Sequence, residues 1–319
     1  MRLQYHDILV TLEQELPGAF KKNFKPACTQ KDFDMRICRY NDDRVGVIRG
    51  DQVFDATLAL ESLPQYTWPL PLGDPFIAAL DSLRPALEAA ADQSTPRAMD
   101  DVTLLSPVAN PTKIVGAPVN YQKHMDEVAD DKQLHHGTQI KPIEKLGLFL
   151  KSASSLVGAA HGVDLRFLDR RNDHEIELAV VIGKPSDKVS RDEALHHVAG
   201  YSIGLDMTVR GSEERSMRKS IDSYSVLGPC LVTADEIPEP GRLGLNITVN
   251  GEVRQSSNTA QLIFDVPRLI ELATSFYTLY PGDIIMTGTP DGVGPILPGD
   301  LMVASIESIG SMSVGVRAG

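Results

Sequence analysis

The 319-residue sequence predicts an α+β, β-rich protein, with a small leading α+β domain in residues 1–108 and a larger, strand-dominated domain in residues 109–319. Three observations predict it. Residues 36–56 fall into short alternating runs bounded by turn residues, one stretch of helical spacing follows, and beyond Pro107 brief strand-like segments alternate with Gly, Pro, Asn and Asp. The length also exceeds what one hydrophobic core usually spans.

With 42% hydrophobic and 23% charged residues, the chain has enough apolar surface to offset its ordering entropy. Acids outnumber Lys plus Arg by 43 to 31, a formal charge of −12, which argues against a surface that clasps phosphate backbones. Apolar runs such as Leu178 to Ile182 fall far short of the ~20 residues that cross a bilayer, and no signal-peptide core opens the sequence. The expected protein is cytoplasmic, with neither nucleic acid nor membrane as a partner. Cys28, Cys38 and Cys230 are scattered without CxxC spacing, so they read as small buried hydrophobes rather than disulfide or zinc ligands.

Taken in order, residues 1–35 form an extension with no assignable role. RICRY, RVGVI and QVFDA, separated by Asn41-Asp42-Asp43 and Arg49-Gly50-Asp51, predict a three-stranded meander. Phe76, Ile77, Leu80, Leu83 and Leu87 predict one or two helices over Pro75 to Ala91, broken or kinked near Pro85. Gln93 to Asp101 reads as a linker. In the larger domain, Arg191 to Val198 and Val266 to Phe276 read as helical segments. Asn250-Gly251 between Asn246 to Val249 and Glu252 to Gln255 predicts a hairpin, because Asn-Gly supplies the two positive φ values of a type I′ turn.

The segment most informative for chemistry is Asp173-His174-Glu175-Ile176-Glu177 running into Leu178 to Ile182. Its continuous apolar half marks a strand covered on both faces, and side chains two apart project to the same side, so Glu175 and Glu177 point together. Two such carboxylates at the mouth of a buried strand repel unless protons or a cation neutralise them. Oxygen-only ligands favour Mg²⁺, Mn²⁺ or Ca²⁺, with Asp206, at the end of the predicted interior strand from Val198, as the third carboxylate. The alternative is a pair of solvated strand-end acids matched by Arg170 or Arg171. A second cluster places His124 and Glu127 at i and i+3 of one helical turn, either an oriented general base or an ordinary surface pair.

Several motifs in order extend the pattern: Lys113-Ile114-Val115-Gly116, Asn120-Tyr121 with His124, Phe149-Leu150-Lys151, Glu175/Glu177, and Ala199-Gly200-Tyr201 to Asp206. Lys219-Ser220-Ile221-Asp222, Leu227-Gly228-Pro229, Val249-Asn250-Gly251, Asn258-Thr259, Pro281-Gly282-Asp283 and Thr287-Gly288-Thr289-Pro290 follow. From Lys113 onward the chain resembles the fumarylacetoacetate hydrolase family. The resemblance implies a β-roll catalytic domain behind a small N-terminal α+β domain, usually a homodimer, with Mg²⁺ or Mn²⁺ on Glu175, Glu177 and Asp206. It implies that His124 and Glu127 activate water on a lid segment, and that Arg210 and Lys219 hold a substrate carboxylate or oxyanion. It further places Lys151 near the metal's outer shell, Thr289 as a donor to a substrate carboxylate, and Tyr121 and Gln255 along the pocket. The implied reaction is hydrolysis of a C–C bond in a small dicarbonyl acid of acylpyruvate or fumarylpyruvate type, giving a 2-oxo acid and a carboxylate. Metal-dependent 2-oxo acid decarboxylation or enol isomerisation, of oxaloacetate or 2-hydroxyhepta-2,4-diene-1,7-dioate type, is the alternative.

Two further points bear on specificity. After Asp206 the family often continues toward Ala-Arg-Asp, whereas this chain reads Val209-Arg210-Gly211, which removes a carboxylate beside the site. Asp126 to Glu144, with His135 and His136, is the expected specificity loop. The Gly292-Val293-Gly294 stretch is a turn, since no Gly-Lys-Ser/Thr follows to cradle phosphate.

Overall fold

The computed structural model describes residues 35–131, 134 and 141–319. The extension up to Asp34, with Cys28, and the part of the expected specificity loop that contains His135 and His136 lie outside them. Among the described residues no helix is long and apolar enough to cross a membrane.

The predicted meander forms as Arg36–Tyr40, Arg44–Arg49 and Gln52–Asp55, all antiparallel. Its turns have Asn41 and Asp43 at φ 49° and 61° and Gly50 at 62°. Its first strand pairs with Ser225–Thr233, so the leading segment continues directly into the main sheet. From that junction the sheet runs through Val198–Asp206, Ile176–Ile182, Ile284–Met286, Ile114–Gly116 and Phe149–Lys151. Residues 35–319 form one compact unit. A five-stranded sheet contains the predicted hairpin, with Asn250 and Gly251 at φ 52° and 82° as the turn requires. A three-stranded sheet joins Asn172–His174 to Thr208–Val209 and Gly294–Pro295.

The strand Ile176–Ile182 is buried at every position. Leu178, Val180 and Ile182 pack into one core with the hairpin sheet and the helix Val266–Phe276, while Ala179 and Val181 pack with the meander and the helix that follows it. The continuous apolar run therefore reports a strand sandwiched between two cores. Cys38 and Cys230 are both buried free thiols, and burial pushes both thiols well up in pKa.

Three expectations about local structure need correction. The helical stretch breaks at Ala79, between Pro75–Ala78 and Leu80–Gln93, and Pro85 lies inside the second helix. Pro85 and Asp81 are both exposed, so the carbonyl that loses its partner can be hydrated while Leu80, Leu83, Leu87 and Ala91 anchor the opposite face. The segment read as a linker contains the strand Arg97–Ala98, which pairs with Gln52 and Val53 and ends the sheet. Arg191 to Val198 is helical only as a 3₁₀ turn over Ala194–His197, because the Gly183 N–H to His197 carbonyl bond (2.7 Å) already draws the chain into the next strand.

Candidate active site

The strand alternation delivers Glu175 and Glu177 to one place, and antiparallel pairing of Ile176 with Leu205 brings Asp206 beside them. Oxygens of the three carboxylates lie within 4.8 Å of one another, and all three residues are buried. Arg170 and Arg171 are not the partners: Arg170 pairs with Glu213 (2.8 Å) and Arg171 with Asp173 (2.7 Å). Lys219 instead reaches into the trio, its Nζ 2.6 Å from Glu175 Oε2 and 2.7 Å from Asp206 Oδ2. Lys151 Nζ donates to the other Asp206 oxygen and to the Tyr224 carbonyl (2.7 Å).

Arg210 approaches from the small sheet, with Nε 2.8 Å from Asp173 Oδ2 and Nη2 2.9 Å from Glu175 Oε1. Glu175 also accepts from the Thr208 hydroxyl (3.1 Å). Burial works to raise the pKa of Glu175, but Lys219 and Arg210 outweigh it and hold the carboxyl well below the usual range. Among the described residues no cation hydrogen-bonds or ion-pairs with Glu177, and Lys219 draws it down only from a distance. Among the described residues it accepts a hydrogen bond from the Gly288 backbone N–H (2.6 Å), and burial together with Asp206 pushes its carboxyl well above the usual range.

That imbalance supplies the test for an ion. A buried carboxylate without a cation either takes a proton or recruits positive charge. The Tyr121 hydroxyl is likewise buried without a hydrogen-bond partner among the described residues, and burial, with Glu177, pushes its pKa up. Three convergent oxygen donors with an unneutralised member fit a hard divalent ion such as Mg²⁺ or Mn²⁺.

His124 and Glu127 lie on the helix Gln122–Asp130, with His124 Nδ1 2.9 Å from Glu127 Oε2. His124 is buried, and the dyad and the trio are tied to one loop, where the Gly288 N–H donates to Glu177 and the Gly292 N–H to Glu127. Asn120 pins the start of this segment: its amide donates to the carbonyls of Phe264 (2.9 Å) and Thr287 (2.8 Å) and accepts from the Phe264 N–H (2.7 Å).

The remaining expected residues serve the frame. The Gln255 amide donates to Thr289 Oγ1 (2.8 Å) and the Pro290 carbonyl (2.7 Å), while its oxygen meets the Ile176 N–H and His174 Nδ1, each at 3.1 Å. Thr289 in turn donates its hydroxyl to the Ile176 carbonyl (2.9 Å). Together they cross-brace the acid strand to the Thr287–Pro290 loop, with both side chains committed to protein partners.

Two backbone donors in this site are not evident from side-chain chemistry. Gly288, at φ 98°, gives its N–H to Glu177, and a Cβ there would crowd Asn120 Cβ at 2.6 Å. Gly292, at φ 92°, gives its N–H to Glu127 Oε1 (3.0 Å), so the turn after Pro290 secures the dyad. Positive φ and close approach were legible only as a glycine-rich turn. Gly211 has a third role: the Arg170–Glu213 pair fills the space a side chain would occupy there.

Residues 113–317 match the family described as fumarylacetoacetate (FAA) hydrolase C-terminal. The chain belongs to the fumarylacetoacetate hydrolase family. It is 55% identical over 286 residues to the maleylpyruvate hydrolase of Aquipseudomonas alcaligenes, covering 89% of this chain and 100% of that protein. A crystal structure of maleylpyruvate hydrolase from Sphingobium sp. SYK-6 in complex with manganese (II) ion and pyruvate is similar at TM-score 0.75 and 38% identity, over 89% of this chain and 100% of that one. The mitochondrial oxaloacetate tautomerase FAHD2B of Homo sapiens is 38% identical over 243 residues, covering 72% of this chain and 74% of that protein.

Proposed function

We propose that this protein is a divalent-metal-dependent hydrolase that cleaves the C–C bond of an acylpyruvate, with maleylpyruvate or a close analogue as substrate. The observation that carries the reading is the buried trio Glu175, Glu177 and Asp206, with the His124–Glu127 pair secured by the same Gly288–Gly292 loop. Similarity to the two maleylpyruvate hydrolases supports the choice of substrate.

In this reading Glu175, Glu177 and Asp206 hold Mg²⁺ or Mn²⁺, which as a Lewis acid polarises the substrate's 2-oxo acid end. Glu127 orients His124, which takes a proton from water as the oxygen adds to the distal carbonyl carbon. The bond from that carbon to the adjacent methylene then breaks, and its electron pair leaves with the pyruvate half as an enolate. Lys219, already inside the trio, and Arg210 behind it oppose the negative charge as it develops. The Tyr121 hydroxyl, buried and without a partner among the described residues, is available to a substrate oxygen. Lys151, Thr289 and Gln255 hold Asp206 and the acid strand in place. Return of the proton to the methylene gives pyruvate, and the acyl half leaves as a carboxylate.

The catalytic portion in this reading is residues 109–319, with residues 1–108 as the leading part. A homodimer rests on the family resemblance, and light scattering during size exclusion checks it. Purified protein with Mg²⁺ or Mn²⁺, maleylpyruvate and fumarylpyruvate should yield pyruvate and the four-carbon diacid in equal amounts. The second reading, favoured by the similarity to oxaloacetate tautomerase, is enol chemistry on a 2-oxo diacid. Tautomerisation or CO₂ release from oxaloacetate without acylpyruvate cleavage selects it.

A further inference from the structure

The segment from Arg210 to Lys219 brings four cationic side chains toward one flank of the acid trio, and three have their donors engaged. Arg210 is bound to Asp173 and Glu175, and Lys219 to Glu175 and Asp206. Arg218 donates to the carbonyls of Glu213 (2.8 Å) and Val209 (3.2 Å). The fourth, Arg215, makes no hydrogen bond or ion pair among the described residues.

Arg215 is half-buried, and its guanidinium carbon stands 5.5 Å from the centre of the Phe149 ring, the same ring that Lys219 Nζ approaches to 5.5 Å. Phe149 is firmly seated, because Gly116 on the paired strand leaves its ring the space a Cβ would fill. Two residues on, and therefore on the same face of that strand, Lys151 holds Asp206. The platform under Arg215 is thus tied to the acid trio. Burial pushes the Arg215 guanidinium down in pKa, while Glu175, Glu214 and Asp206 pull it up, which places it in the field of the site. Glu214 does not pair with it; its carboxylate caps the Ser216 N–H (2.6 Å).

A guanidinium that is partly desolvated, set over an aromatic ring and left with open donors can take a carboxylate in bidentate fashion. We propose that Arg215 binds the far carboxylate of the acyl half of the substrate, so that this site prefers acylpyruvates whose acyl group is itself an acid. The inference rests on the acylpyruvate reading above and deepens it: the trio takes the pyruvate end, and Arg215 measures the other.

The test compares wild type, Arg215→Gln and Arg215→Lys with Mn²⁺ on maleylpyruvate and on acetylpyruvate, which carries a methyl group where maleylpyruvate carries an acid arm. The expected result is a 10- to 100-fold fall in the ratio of the two kcat/KM values for Arg215→Gln, the span of a charged hydrogen bond of about 1.5–3 kcal/mol. The loss should lie mainly in KM for the diacid. Arg215→Lys should fall between, because it keeps the charge and loses the fork. An equal fall on both substrates, or an unchanged ratio in both variants, overturns the inference. If wild type cleaves neither acylpyruvate, the functional reading fails separately, and thermal-shift titration with maleate then decides on Arg215. Maleate should stabilise wild type more than Arg215→Gln, and equal shifts overturn the proposal.

Discussion

Replacing Glu177 by Gln probes the acid trio at the member that, among the described residues, no lysine contacts directly. Lys219 bridges Glu175 and Asp206 and Lys151 holds Asp206, whereas Glu177 has the Gly288 N–H. A divalent ion at 100 times its dissociation constant stabilises the wild-type fold by about 2.7 kcal/mol. For 319 residues, at about 2.1 cal/mol/K of unfolding entropy each, that raises Tm by about 4 °C. Removing one of three anionic ligands should weaken ion binding about 100-fold, again about 2.7 kcal/mol. At the same ion concentration the variant then sits at its dissociation constant and gains about 0.4 kcal/mol, or ~1 °C. The ion-free proteins should differ in the opposite sense. Because burial and Asp206 raise the Glu177 carboxyl, its ionisation opposes folding, and ion-free wild type should lose stability as pH rises from the ordinary carboxylate value of 4.5 toward the raised one. The Gln variant lacks that slope. Differential scanning fluorimetry across pH, with and without Mn²⁺, reads both effects. A variant that keeps the full Mn²⁺ shift refutes the assignment of Glu177 as a ligand.

Other outcomes follow from the same geometry. His124→Ala should lower kcat about 100- to 10,000-fold while keeping the Mn²⁺-induced rise in Tm, since it removes the base and leaves the trio; Glu127→Gln should show a smaller fall in the same assay. Gly292→Ala forces a Cβ onto the Arg254 carbonyl at φ 92°, so a lower urea midpoint worth about 1–3 kcal/mol is expected, with reduced kcat as Glu127 loses its N–H. Asp55 is held at about 2 because the Thr57 and Arg44 hydrogen bonds outweigh its burial. Its stabilisation is therefore present above the ordinary value of 3.8 and lost as pH falls through about 2. Asp55→Asn should cost at most about 1 kcal/mol at neutral pH for this half-exposed pair, and acid-titrated melting curves of the two proteins should converge as Asp55 protonates.

The parts of the site legible in the sequence are those written locally. Glu175 and Glu177 two apart before an apolar run, His124 and Glu127 three apart, and Asn250-Gly251 between alternating runs each carry their geometry within a few residues. What was not legible depends on chain partners far away. The replacement of Arg170 and Arg171 by Lys219 and Arg210 as partners of Glu175 follows from a sheet register that no local pattern encodes. The Gly288 and Gly292 N–H groups are backbone donors whose targets lie 111 and 165 residues away, so only the need for a turn was readable. Pro85 misled for the converse reason: its local disruption was readable, but the solvent-facing position that makes it tolerable was not.

The filled space above Gly211 makes a change at that flank a matter of side-chain rearrangement rather than of backbone. An acid introduced there by one substitution would drive into the Arg170 guanidinium and the Glu213 carboxylate. Both are the tips of partly exposed side chains that can swing aside, so a single substitution at Gly211 should be accommodated, with the new acid competing with Glu213 for Arg170.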